Sequence, residues 1–457
     1  MEWLIKVGQL LLSLSILVLL HEFGHFAAAR IFKTRVEKFY LFFDFLFPFP
    51  NLAKFAIFKI KIGDTEYGLG WFPLGGYVKI AGMLDESADK EAMSQPPQPW
   101  EFRSKPAWQR LIIILGGIIV NVILGILIYS LSLFTWGERY LPTQNATYGI
   151  FITDSAAYDM GLRNGDKILT VDNEPVKGFY QVVGRVIIDQ AETIQIEREG
   201  RKMEIAVTDD FIREAIAKGK RNPMWDVRTP FYIGEFVKGY KAKDFGFEKK
   251  DKIVAFNEQP VEYFDAFRDL AQQHRSEDIS VTVVRSSDTL KIPAKLDSTG
   301  ALGIRPAGVE DLAALGYFRL DTVRYGFFES FPAGFRLSFR IISDYAKQFG
   351  LMFQPKTGAY KQVGGFGSLA SMFPPYWDWE AFWKFTGLLS LVLAFMNFLP
   401  IPMLDGGYML FILYEMITRR KPSDKFMEVA NTIGFVIVLA LLLYANGNDV
   451  LKIFTGG

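Results

Sequence analysis

The chain has 457 residues, half of them hydrophobic, with a mean hydropathy of +0.15 and a formal net charge of +1. That length exceeds one ordinary domain, and that hydropathy fits membrane segments joined to soluble sequence. The near-zero charge excludes whole-chain attraction to nucleic acid or another polyanion, and the absence of cysteine excludes thiolate metal ligands and disulfide scaffolds.

Residues 1–30 are apolar enough to predict a first membrane-spanning helix, since about 20 such residues cross a bilayer. Inside that helix stands His21-Glu22-Phe23-Gly24-His25. Positions i and i+4 share a helix face, so His21 and His25 can offer two imidazoles to one metal ion. Glu22 is placed to take a proton from a water that the metal activates. The chain holds only three histidines, and an ionisable cluster in a bilayer is costly enough to mark a functional site. HExxH also arises by chance on solvated helices, and an apolar N-terminal run can be a signal peptide. No small-residue cleavage site separates this run from the motif.

Residues 31–106 follow as an aromatic-rich loop. Phe55 to Ile62 alternates, Gly63-Asp64 makes a turn and Glu66 to Phe72 returns, which predicts a β-hairpin whose apolar load dips it into the membrane. A second span covers 107–136, with Trp108 and Trp136 at its ends. Its Gly117, Asn121 and Gly125, spaced by four, would let a neighbouring helix come close. Two further spans are predicted in 381–410 and, with the C-terminus, in 426–457; a short loop over 411–425 joins them. Arg30, Lys33, Arg35 and Lys38 crowd the first loop at one end, and Arg103, Lys105 and Arg110 crowd its other end. Arg419, Arg420, Lys421 and Lys425 lie between the last two spans. The positive-inside rule then makes both loops cytoplasmic and places the termini and the 137–381 insert on the far side. His21 falls about 18 residues into its span, roughly 27 Å along the axis, and therefore toward the cytoplasmic leaflet.

The insert repeats itself 85 positions on. Gly149, Phe151, Ala157, Asp159, Gly161, Asp166, Lys167 and Ile168 recur as Gly234, Phe236, Ala242, Asp244, Gly246, Asp251, Lys252 and Ile253. Both copies, over 141–222 and 223–307, read as strand, glycine turn, strand, helix and further strands. The phrases around Gly161-Leu-Arg-Asn-Gly-Asp and Gly246-Phe-Glu-Lys-Lys-Asp resemble PDZ domains of the bacterial protease type. Such domains capture extended peptide as an added strand, although a pair of β-rich spacers without ligand would read alike. Within 308–380, Tyr325 to Phe349 interleaves phenylalanines with Arg336 and Arg340, as an amphipathic helix on a membrane surface does.

Hydrolytic zinc takes three protein ligands and a water. The third histidine, His274, falls in the second repeat, across the membrane from the motif. Asn397-Phe-Leu-Pro400-Ile-Pro402-Met-Leu-Asp405-Gly406-Gly407 offers a carboxylate instead. Two prolines two apart stop a helix, and extended backbone at membrane depth is tolerated only when buried in protein or lining a cavity. Asp405 falls in that break, level with His21, although Asp-Gly-Gly alone is also an ordinary turn. Two histidines and a carboxylate could also hold Fe(II) for an oxygenase, or serve a metal transporter. A membrane-tethered PDZ scaffold with a dead site is a third reading. A glutamate directly after the first histidine favours hydrolytic zinc, no second polar cluster marks a transport path, and the complete set of candidate residues disfavours a dead site.

These segments, with Pro73-Leu-Gly-Gly-Tyr-Val-Lys79 and Trp108-Gln-Arg110, resemble the site-2 protease family of intramembrane zinc metalloproteases over nearly the whole chain. The tandem repeats match its bacterial RseP-type branch. The resemblance implies one Zn2+ per chain held by His21, His25 and Asp405, with Glu22 as catalytic base. It implies that Asn397 binds substrate or steadies the oxyanion. A strand over Gly70, Trp71, Phe72, Pro73, Leu74, Gly75, Gly76, Tyr77 and Val78 would pair with unwound substrate. The expected fold is an α-helical membrane protein with four transmembrane helices, a membrane-associated β-hairpin or sheet, and two inserted extracytoplasmic α+β PDZ-like domains. Expected partners are single-pass transmembrane substrates of the anti-sigma-factor or leftover signal-peptide type in a bacterial inner membrane, membrane lipid, and peptide ligands of the PDZ domains, with no nucleic acid. Ile118, Phe366 and Tyr408 depart from residues common in the family, and none of them is a ligand.

Overall fold

The computed structural model describes residues 2–46, 52–73, 75–83, 96–218 and 223–455; Leu74 of the expected substrate strand lies outside them. The chain divides into two units, Met1–Gly137 with Arg324–Ala346 and Val363–Gly457, and Glu138–Val323 with Lys347–Gln362.

In chain order, the first unit contains α1 (Glu2–Ile31), α2 (Ala107–Trp136), the start of α3 (Phe327–Leu351), α4 (Phe366–Ser371), α5 (Trp379–Phe398), α6 (Asp405–Thr418) and α7 (Asp424–Thr455). Among the described residues, α1, α2, α5 and α7 are the helices long and apolar enough to cross a membrane. Small residues let them pack. A Cβ on Gly24 would collide with the backbone of Gly116, so α1 and α2 touch main chain to main chain. Gly125 of α2 likewise accommodates Leu391 of α5. Buried hydroxyls tie the same three helices: Thr386 Oγ1 donates to Ser13 Oγ at 3.0 Å, and Ser390 Oγ donates to the Asn121 carbonyl at 2.7 Å. Gly334 of α3 meets Ser130 of α2, while Phe328, Phe335 and Phe339 stay exposed as an amphipathic helix requires.

The third span, expected within 381–410, ends as a helix at Phe398, just before the two prolines expected to stop it; the expected 411–425 loop is instead largely helical, because α6 runs from Asp405 to Thr418. Pro400 and Pro402 supply no N–H, and Leu399 turns extended at φ −62°, ψ 143°. Helix resumes at Asp405 because Gly406 lets the new turn press against Leu399, and Phe411 and Ile412 are buried. Arg110 of α2 and Glu415 of α6, both largely buried, form an ion pair at 2.6 Å that holds the far end of α6.

A four-stranded sheet joins this bundle in the order β2-β3-β1-β4, with β1 (Val36–Leu41), β2 (Ala56–Ile62), β3 (Thr65–Gly70) and β4 (Tyr77–Ile80). The β2–β3 hairpin turns at Gly63-Asp64, as expected. The sequence did not announce β1, which runs parallel to β3 and antiparallel to β4 with Val36 and Tyr40 buried. Gly70 to Val78 is therefore not one strand. Gly70 ends β3 inside the sheet, and only Tyr77 and Val78 lie in β4 on its edge. The other edge, β2, leaves Ile57, Phe58, Ile60 and Ile62 exposed.

The second unit carries two separate hydrophobic clusters, one around Ile150, Ile168, Ile194 and Phe211, the other around Phe231, Ile253, Phe256 and Val281. Both share a succession of two strands, a helix and three strands, from Ile150–Ile152 to Trp225–Val227 and from Ile233–Phe236 to Ile304–Pro306; those end strands pair antiparallel in both. One hydrogen-bond network also recurs. Arg198 donates to buried Asp166 at 2.7 Å and to the Gly161 carbonyl at 2.8 Å, while Arg285 donates to buried Asp251 and the Gly246 carbonyl, both at 2.7 Å. The backbone N–H groups of Arg163 and Glu248 complete the two carboxylates at 2.8 Å. Burying those charges is tolerable because each is paired and fully hydrogen-bonded. The first cluster alone adds the helices Ser155–Asp159 and Asp209–Lys218, and Phe211 of the latter stacks on Trp225.

Candidate metal centre

One turn of α1 separates His21 from His25, and the helix presents both rings on its buried face at 8% exposure. Their Nε2 atoms lie 3.3 Å apart. The proline break returns the chain so that Asp405, first residue of α6, puts Oδ2 3.3 Å from His21 Nε2 and 3.4 Å from His25 Nε2. All three ligand atoms lie within 4.8 Å of one another. His274 stands elsewhere, bonded to Glu277 at 2.7 Å in the second unit.

The surroundings of the rings come mainly from α2. His25 Nδ1 lies 2.9 Å from the Ile113 carbonyl. A carbonyl only accepts, so the proton resides on Nδ1 and the Nε2 lone pair faces the centre. His21 Nδ1 lies 3.1 Å from Asn121 Nδ2, and His21 Nε2 lies 3.4 Å from Asn397 Nδ2. Between these contacts, a Cβ on Gly117 would stand 2.6 Å from His21 Cε1 and collide with His25 Nε2. Position 117 therefore admits only glycine.

Glu22 turns toward β4. A Cβ on Gly76 would lie 3.5 Å from Glu22 Cγ, and the Val78 backbone N–H donates to the Glu22 carboxyl. Tyr77 between them donates to Asp44 Oδ1 at 3.0 Å and stacks on Tyr40. Burial and the Asp44 carboxylate push the Tyr77 phenol well above its usual range, so it remains a donor. The structure thus brings Gly76, Tyr77 and Val78 to the glutamate. It places the rest of that segment differently. Gly70 and Gly75 pack on Phe43, Phe72 bridges to Phe43, and Trp71 donates to the Ala53 carbonyl and stacks on Phe55; Pro73 lies in the turn between β3 and β4.

The donor set fits a cation. Asp405 Oδ2 is buried and accepts no well-formed hydrogen bond, although two imidazole nitrogens face it. A buried carboxylate oxygen that faces two imidazole nitrogens without a well-formed hydrogen bond is costly unless a positive charge joins them. Two imidazoles and one carboxylate, without thiolate, suit hydrolytic zinc with one position left open. The part played by Ile113 was invisible in the sequence, since any residue carries a carbonyl. In the sequence, Asn121 stands out only by its four-residue spacing from Gly117 and Gly125.

Apolar spanning helices closed around an HExxH motif and a distant aspartate define a membrane metallohydrolase. The model of peptidase family M50 matches residues 9–441, and the chain belongs to that family, the site-2 proteases, which makes it a zinc metalloprotease. It is 27% identical to a protein of Treponema pallidum provisionally named zinc metalloprotease, over 99% of this chain and 100% of the relative. It is also 27% identical to metalloprotease MmpA of Caulobacter vibrioides, over 98% and 96% of the two chains. Identity to the regulator of sigma E protease of Haemophilus influenzae is 24%, over 99% and 100%.

Proposed function

We propose that this protein is an intramembrane endopeptidase, cutting peptide bonds within the transmembrane segments of single-pass proteins. The observation that carries the reading is the meeting of His21, His25 and Asp405, with Glu22 flanked by β4, an edge strand among the described residues. His21, His25 and Asp405 would hold one Zn2+ per chain, whose Lewis acidity would bring the pKa of a water toward about 7 and polarise the scissile carbonyl. Glu22 takes the proton from the attacking water and passes it to the leaving amine. Asn397, beside His21, is a donor for the developing oxyanion.

A transmembrane helix hides its peptide bonds in its own hydrogen bonds, so substrate must unwind before attack. The edge of β4 replaces the lost bonds by strand addition at Gly76–Val78. Outward Ile57, Phe58, Ile60 and Ile62 hold the sheet in the cytoplasmic leaflet of a bacterial inner membrane. Arg and Lys on the two short loops orient the spans so that 137–381 lies outside the cytoplasm. Because the chain lacks cysteine, single cysteines test this cleanly. An impermeant thiol reagent on intact spheroplasts is expected to label Lys249→Cys and spare Arg420→Cys; the reverse labelling would overturn the orientation.

The two clusters over 141–307 are PDZ-like modules that restrict which substrates reach the centre. The Haemophilus relative's name points to anti-sigma factors as one class, with leftover signal peptides as another. Every proposed catalytic residue lies outside 141–307. A form with that segment replaced by a flexible linker should therefore still cut a bare transmembrane peptide in detergent, and should begin cutting substrates with bulky outer domains. A folded, zinc-loaded deletion that is inert on the bare peptide would mean that the modules deliver substrate rather than exclude it.

A further inference from the structure

We propose that Asn121 is the positioning residue of the ligand His21: its amide oxygen accepts from His21 Nδ1–H and thereby keeps Nε2 free for the metal. The inference rests on the zinc site proposed above. Ile113, Gly117 and Asn121 form one stripe of α2 at four-residue spacing, and they face His25, both rings, and His21 in turn. The stripe matches the four-residue spacing of the two histidines on α1. Each imidazole therefore meets one polar group of α2 across a gap that Gly117 holds open.

The two partners are not equivalent. The Ile113 carbonyl leaves His25 one tautomer, with Nε2 unprotonated. An amide can turn either atom to a ring, since both orientations occupy the same space. With Nδ2 toward His21, Nδ1 accepts and the ring proton sits on Nε2, facing Asp405 and His25, where it blocks a cation. That orientation also leaves Asn121 Oδ1 buried without a partner, in a residue with no exposed surface. Turned by 180°, the oxygen accepts from Nδ1–H, and His21 reaches the state that Ile113 imposes on His25. Metal-bound histidines commonly donate their second N–H to such an acceptor, which fixes the ring and raises its basicity. Asn121 is not held in place merely as interhelical glue. Its contact to α5 runs through the backbone carbonyl, which Ser390 occupies whatever the side chain.

Zinc affinity of the purified full-length chain, measured by competition with a chromophoric chelator in detergent, tests the proposal without reference to cleavage. Asn121→Leu keeps the shape and removes the acceptor; it should weaken zinc binding by about 10–100-fold. Asn121→Asp restores an acceptor for Nδ1–H and should therefore escape that about 10–100-fold loss. The cobalt(II) form should show a shifted ligand-field spectrum in Asn121→Leu only. If Asn121→Leu does not fold, Asn121→Ala serves as the second apolar variant. Normal zinc affinity in a folded apolar variant would overturn the proposal. So would an equal loss in Asn121→Asp, because shape rather than the acceptor would then matter. Failure of the unmodified chain to bind zinc would instead sink the zinc site itself.

Discussion

Glu22→Gln is expected to keep its zinc and lose peptide cleavage by about 10²–10⁴-fold, the range that a positioned general base contributes. Glutamine has the shape of glutamate, and its amide oxygen can still accept from the Val78 N–H that meets Glu22. None of the three ligands changes. The variant therefore removes proton transfer while sparing the metal site and the sheet contact. Metal analysis and a transmembrane-peptide assay on the same preparation separate the two effects. Cleavage within tenfold of the unmodified enzyme would show that the base is another group.

Asp405→Ala should behave differently, losing zinc as well as activity. Removing a direct ligand should weaken zinc by more than the about 10–100-fold that loss of an outer partner costs. One zinc bound with normal affinity and normal cleavage would show that the third ligand lies elsewhere.

Several features were readable because their causes are local. Apolar length announced the four spans, and helical spacing put His21 and His25 on one face. Pro400 and Pro402 announced a break, since a missing N–H acts on the residue's own turn. The Gly63-Asp64 turn announced the β2–β3 hairpin. The 85-residue recurrence announced two like modules, whose Asp–Arg networks recur at matching positions.

What the chain does after the break was not local. Gly406 and Gly407 read as a turn, yet packing against Leu399 and Pro402 lets them open α6. The central strand β1 escaped notice because its partners β3 and β4 are both distant in sequence, and pairing of that kind leaves no mark on the strand itself. The same reason divided the Gly70–Val78 segment between the interior and the edge of the sheet. The sequence alone determined which residues could bind a metal, because residue type and helical period are properties of short segments. Only the tertiary structure decided that they meet. Glycine contacts bring α2 against α1, and the proline break aims α6 back at the histidines. A coordination site is set by distances between helices, and no short stretch of sequence encodes those distances.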